Sequence, residues 1–227
     1  MSDKHLNYTS CFDIIGPIMI GPSSSHTAGA CAIGRAVNLL FGEVPAKVQI
    51  TYYESFAETH QGHGTDYALI AGLMGMEAAD ERVPESLNIA KEKGMDYRFI
   101  ESSAPSPAHH ANTAYIEVWN HDCTHHLIVL GVSIGGGAIE LRLINDNGLE
   151  VKPLYATNLI VLKSNHELED GRLDERFKQL GVHLTNGQMV FNGEEHLFIF
   201  NTERHLTDDE FEQLTEGLDL AHQMMLP

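Results

Sequence analysis

A chain of 227 residues with 14 Lys and Arg against 32 Asp and Glu carries a formal net charge of −18, which repels nucleic-acid phosphate and anionic membrane surfaces and argues against either as a partner. Its length suits one medium domain plus a small one, with no difficulty in burying a core. The three cysteines, Cys11, Cys31 and Cys123, are odd in number and widely spaced, which excludes a secreted disulfide framework and any CxxC-type metal site and points to a reducing cytoplasm. The segment MSDKHLNYTSCFD lacks a basic stretch followed by an apolar core, and no 18-residue apolar run occurs. Neither an export signal nor a membrane span is expected. The acidity is dispersed apart from denser runs at residues 167–175 and 207–216, as on a solvated surface.

In chain order, residues 12–20 form an apolar stretch that ends in a Gly-Pro-Ser cluster, which reads as a short strand or extended segment entering a loop. From Ala28 the positions Ala30, Ile33, Val37, Leu40 and Phe41 follow helical spacing until Gly42 stops them. Val48, Ile50 and Tyr52 alternate as a half-buried strand does, and a loop follows over residues 58–64. A helix begins at Thr65 or Asp66, either a good N-cap, with Ala68, Leu69, Leu73 and Met76 turned inward. Residues 81–93 read as a third helix ended by Gly94. Residues 97–100, 114–119, 127–133 and 138–144 read as strands, the last two joined by a glycine run. The fold class is therefore α+β, with helices first and a largely antiparallel sheet afterwards.

The turn formers Asn145-Asp146-Asn147-Gly148 place a domain boundary between themselves and Pro153, dividing the chain into residues 1–150 and 151–227. The second part reads as strand 158–163, helix 170–180, strands 182–191 and 196–201, and helix 207–225. That is the element order of a small ferredoxin-like or ACT-like module, which needs packing against something else.

Two loops can do chemistry. Gly21-Pro22-Ser23-Ser24-Ser25-His26-Thr27 precedes a helix, and unpaired backbone N–H groups there, joined by hydroxyls and an imidazole, make a cradle for a carboxylate or phosphate. One serine would satisfy a cap, so the run exceeds that need. Gly62-His63-Gly64-Thr65-Asp66 again feeds a helix start, its glycines leaving the imidazole unhindered and His63 suited to accept a proton near neutral pH. An anion cradle beside a base resembles an amino-acid or hydroxy-acid site.

Other features read more plainly. His109, His110, His121, His125 and His126 include neighbours that point to opposite faces of a strand, without HxH or HExxH spacing, so no metal site is expected. Ser133-Ile134-Gly135-Gly136-Gly137 lacks the lysine of a phosphate loop and joins two strands, which makes it a tight turn or a close backbone approach.

The segments SCFDIIGPIMIGPSSSHTAGACAIGRA, ESFAETHQGHGTDYALIAGL, NTAYIEV and VSIGGGAIEL, in order from about Ser10 to Glu150, resemble the beta chain of bacterial iron-sulfur L-serine dehydratases. The resemblance implies conversion of L-serine to pyruvate and ammonia by loss of water. It implies a [4Fe-4S] cluster whose cysteines come from a separate alpha chain or the other half of a fused polypeptide, so Cys11, Cys31 and Cys123 are not its ligands and this chain alone is inactive. It maps Ser23, Ser24, Ser25, His26 and Thr27 as substrate contacts together with Gly64 and Asp66, and His63 as the base reaching across a subunit interface. A cytoplasmic homodimer or heterotetramer is expected. Family beta chains of this length often end in an ACT-type module, but here Ser164-Asn165-His166-Glu167-Leu168-Glu169 replaces the usual Pro-Gly and apolar helix start, so a dimerisation role stands beside amino-acid sensing. The rival readings are a non-catalytic serine-sensing regulator, which would bind serine without a cluster partner, and a metal-dependent hydrolase built on the surplus histidines.

Overall fold

The computed structural model describes residues 17–153, 158–168 and 170–226; Cys11 and the first part of the apolar stretch, residues 12–16, lie outside them. Residues 17–20 form no strand. Two sheets carry the molecule. The first contains β1 (Lys47–Tyr53), β2 (Asp96–Ser102), β3 (Thr113–Trp119), β4 (His126–Gly135), β5 (Ala138–Asp146) and β6 (Leu149–Val151), in the order β2-β1-β3-β4-β5-β6. The β1–β2 pair is parallel and the others are antiparallel. Its helices are α1 (Gly29–Phe41), α2 (Glu54–Thr59), α3 (Thr65–Leu73) and α4 (Ser86–Glu92). The second sheet contains β7 (Leu159–Ser164), β8 (Leu184–Phe191), β9 (His196–Thr202) and β10 (His222–Leu226) in the order β10-β7-β9-β8, with α5 (Asp170–Gln179) and α6 (Asp208–Thr215). The class is α+β, as the sequence indicates.

Several elements depart from the sequence reading for local reasons. Residues 207–225 are not one helix: α6 is capped by Thr207, whose side chain accepts the Glu210 N–H, and ends before Gly217, which adopts φ +67. Beyond it Met224 and Leu226 turn inward and β10 pairs antiparallel with β7. The expected helix over 81–93 is a 3-10 turn, Val83–Glu85, containing Pro84 and followed by the short α4. Part of the expected loop over 58–64 is the end of α2, and β6 occupies the turn region assigned to a boundary.

Period-two alternation explains how the second sheet is held. Leu159, Val161, Leu197, Ile199, Met224 and Leu226 join the same core as α1, β1 and β4, whereas Ile160, Leu162, Phe198 and Phe200 face Leu173, Phe177 and Leu214 of the helices. Between the sheets, buried Lys163 places Nζ 3.0 Å from both Asp146 and Glu195, and His125 Nε2 lies 2.8 Å from Asp146. Burial works against the Asp146 charge, but His125 and Lys163 outweigh it and hold the carboxyl below its ordinary value. The stability this lends is present above that ordinary value and is lost as pH falls through the depressed one.

Candidate active site

Ser23 is extended (φ −144, ψ 127), and its Oγ accepts the His26 N–H at 3.2 Å, capping a π-helical turn, Ser24–Ala28, that runs into α1. Helix therefore begins four residues before the point that apolar spacing indicates, and wide turns of this kind occur often at functional sites. Within it, buried His26 pairs Nδ1 with Ser25 Oγ at 2.9 Å and Nε2 with Ser55 Oγ at 3.2 Å. Its ring meets Phe56 at 5.1 Å and His63 at 5.0 Å, both edge-on. Burial first, and then the neighbouring His63, push the His26 imidazole below its ordinary value, so it is neutral at physiological pH.

The second loop is tied directly to the first. The wholly buried Thr27 hydroxyl donates to the His63 carbonyl at 2.9 Å, and the His63 N–H donates to Thr59 O at 3.0 Å. With its backbone held from both sides, the His63 side chain is exposed. Gly64 takes φ +74 at the start of α3, a left-handed conformation open to glycine at little cost. It is the N-cap residue, so neither Thr65 nor Asp66 caps this helix: the buried Thr65 Oγ1 has no partner and Asp66 turns to His60.

The two helix starts meet because α1 and α3 cross at glycines. A Cβ on Gly34 would lie 2.2 Å from Leu69 O, and one on Gly72 would lie 2.1 Å from Cys31 O. The backbones approach too closely for any side chain, and the Thr27–His63 bond lies at the ends that this crossing aligns.

Several neighbours escape a reading of the loops alone. Ser55 reaches His26 from the start of α2, where Glu54 adopts φ +47, costly for a non-glycine residue, while its carboxylate accepts the Ser106 N–H at 3.0 Å. Buried Ser133 Oγ has no partner and lies against Gly29, where a Cβ would meet it at 2.1 Å. His60, buried, pairs Nδ1 with Asp66 at 2.7 Å and Nε2 with Glu101 at 2.8 Å. The glycine run is both a turn and a close approach, since Gly136 and Gly137 link β4 to β5 and a Cβ on Gly137 would lie 2.7 Å from Pro17. A concavity of about 820 Å³ lined by Glu212, Thr215, Glu216, Leu220 and His222 shares no residue with this cluster.

Cys31 does not fit an iron-sulfur cluster, whose ligands are thiolates. Cys31 is buried in α1 with its thiol directed to Met76 O at 3.4 Å, and burial pushes it up to about 12. Cys123 is exposed. Among the described residues no group of three or more His, Cys, Asp or Glu is placed to hold a metal ion. His125 instead stacks on Phe41 at 4.3 Å and His126 on Trp119 at 4.5 Å. No helix among the described residues is long and apolar enough to cross a membrane.

The family model for the serine dehydratase beta chain matches residues 10–98, a span that holds both loops. A probable L-serine dehydratase beta chain of Bacillus subtilis (strain 168) is 46% identical over 157 residues, 69% of this chain and 69% of that protein. The L-serine dehydratase beta chain of Peptoniphilus asaccharolyticus is 39% identical over 151 residues, 66% of this chain and 67% of its own length. An L-serine dehydratase of Escherichia coli (strain K12) is 26% identical over 208 residues, 71% of this chain but 45% of that longer protein. With identity at this level over two thirds of each beta chain, this chain belongs to the L-serine dehydratase beta chain family.

Proposed function

We propose that the chain is the beta subunit of an L-serine ammonia-lyase that converts L-serine to pyruvate and ammonia only when joined to an alpha chain. The observation that carries this reading is the convergence of the two loops, with the His26 and His63 rings 5.0 Å apart and Thr27 bonded to the backbone of His63. The serine hydroxyls and the N–H groups at the helix start suit a carboxylate. Neutral His26, paired at both ring nitrogens, fixes the Ser25 and Ser55 hydroxyls beside that cradle. His63 stands exposed beside it, suited to take the Cα proton. Loss of the β-hydroxyl then gives an enamine that tautomerises and hydrolyses.

Hydroxide is a poor leaving group, and a [4Fe-4S] cluster on the alpha chain would supply the Lewis acid for it when bound. The burial and protonation of Cys31 support assigning the cluster to that partner. The strand-helix-strand-strand-helix-strand order and the antiparallel arrangement β10-β7-β9-β8 support reading residues 151–227 as a ferredoxin-like, ACT-like module beside a catalytic domain of residues 1–150. The free thiols of Cys31 and Cys123 suit a reducing cytoplasm.

Anaerobic co-expression with an alpha chain tests the reading. A brown complex that forms pyruvate from L-serine, with neither chain active alone, is the expected result. A colourless chain that binds serine with no cluster partner would replace the lyase by a serine sensor.

A further inference from the structure

His60 closes α2 and is buried, yet both of its ring nitrogens face carboxylates. Nδ1 lies 2.7 Å from Asp66 Oδ1 on α3, and Nε2 lies 2.8 Å from Glu101 Oε1 on β2. A neutral imidazole has one N–H and one lone pair, so it donates to one acceptor only. The second contact would then set a lone pair against a carboxylate oxygen at hydrogen-bond distance. Both contacts are satisfied when the ring holds the extra proton as an imidazolium between two carboxylates.

The groups that face His60 favour keeping that proton. Tyr52 of β1 lies 4.9 Å from the His60 ring and Phe99 of β2 lies 6.4 Å away, so Asp66, Glu101 and Tyr52 are the titratable groups around it. Burial opposes a charge on the imidazole, but the bonds to Glu101 and Asp66 outweigh it and raise the ring above 6.5. Burial also raises the Asp66 carboxyl, against the bond from His60 that pulls it down. A ring raised in the folded state lends stability that is complete below pH 6.5 and is lost as pH rises through its folded value.

The clamp sits where movement reaches the candidate base. The His60 carbonyl accepts the Thr65 N–H at 3.0 Å, and Thr59, the residue before His60, accepts the His63 N–H at 3.0 Å. The loop between His60 and Asp66 therefore hangs from the two residues that the imidazole joins. We propose that His60 is a positioning residue, a proton-holding clamp between Asp66 and Glu101 that fixes the loop bearing His63 and releases it when that proton is lost. The kinetic consequence rests on His63 acting as the base; the clamp itself does not.

Nitrogen-15 NMR of the full chain with labelled histidine, over a pH series, reads the clamp without turnover. The expected His60 signal has both ring nitrogens protonated below pH 6.5 and titrates above that value, and as it does so the amides of residues 60–64 exchange faster. Glu101→Gln, at a side chain 61% exposed, keeps the fold and should move that titration back toward 6.5. In the assembled enzyme, His60→Gln should lower kcat roughly 10-fold with KM little changed and abolish the part of the alkaline decline that follows the His60 signal. A ring already singly protonated below pH 6.5, or loop amides indifferent to its titration, overturns the clamp. Normal turnover of His63→Ala with the His60 titration intact instead removes the proposed base and leaves the clamp standing.

Discussion

Alanine at position 63 in the assembled enzyme lowers kcat by roughly 10²-fold or more, a loss of about 2.7 kcal/mol in transition-state stabilisation, while serine binding and the fold persist. The fold persists because the bonds that fix this residue belong to its backbone: the carbonyl accepts from Thr27 and the N–H donates to Thr59, and alanine keeps both. The exposed ring leaves no cavity. His26→Ala should behave differently, since it deprives the Ser25 and Ser55 hydroxyls of their partner and empties a buried position against Phe56. KM should rise there, with some loss of stability. Steady-state kinetics on both variants separate the roles: kcat falls with KM little changed when His63 is replaced, and KM rises when His26 is replaced. Near-normal turnover of His63→Ala would eliminate it as the base.

Much of this site is legible in the chain because helix starts announce themselves locally. The hydroxyl run from Ser23 to Thr27 and the glycines around His63 mark two such starts without any tertiary information. What the local signal does not carry is which side chain performs which task. Thr65 and Asp66 are both good caps by residue type, yet Asp66 is drawn off by His60, whose other partner, Glu101, lies 41 positions along the chain on β2. Ser55 reaches His26 across 29 positions in the same way. The C-terminal misreading has a similar origin. Five residues from His222 to Leu226 give too few alternations to outweigh the helical pattern before them, and their state is settled by pairing with β7.

Gly72→Ala should destabilise the chain by roughly 2–3 kcal/mol, although helix propensity alone predicts a gain of about 1 kcal/mol. The sign is decided by contact. The new Cβ would sit 2.1 Å from Cys31 O and 2.6 Å from Arg35 N, both backbone atoms of a helix that can yield only by moving as a unit. Parting α1 from α3 in this way also separates the helix starts that Thr27 and His63 join, so turnover should fall with stability. Gly34→Ala acts from the other side of the crossing, where its Cβ would meet Leu69 O at 2.2 Å. Once one substitution has spread the helices the second finds room, so the double variant should cost less than the sum of the two. Urea unfolding of the two single variants and the double variant measures this directly. Full additivity, or a Gly72→Ala chain as stable as the parent, would mean that the helices do not meet at these glycines, and the loops would then need another reason to converge.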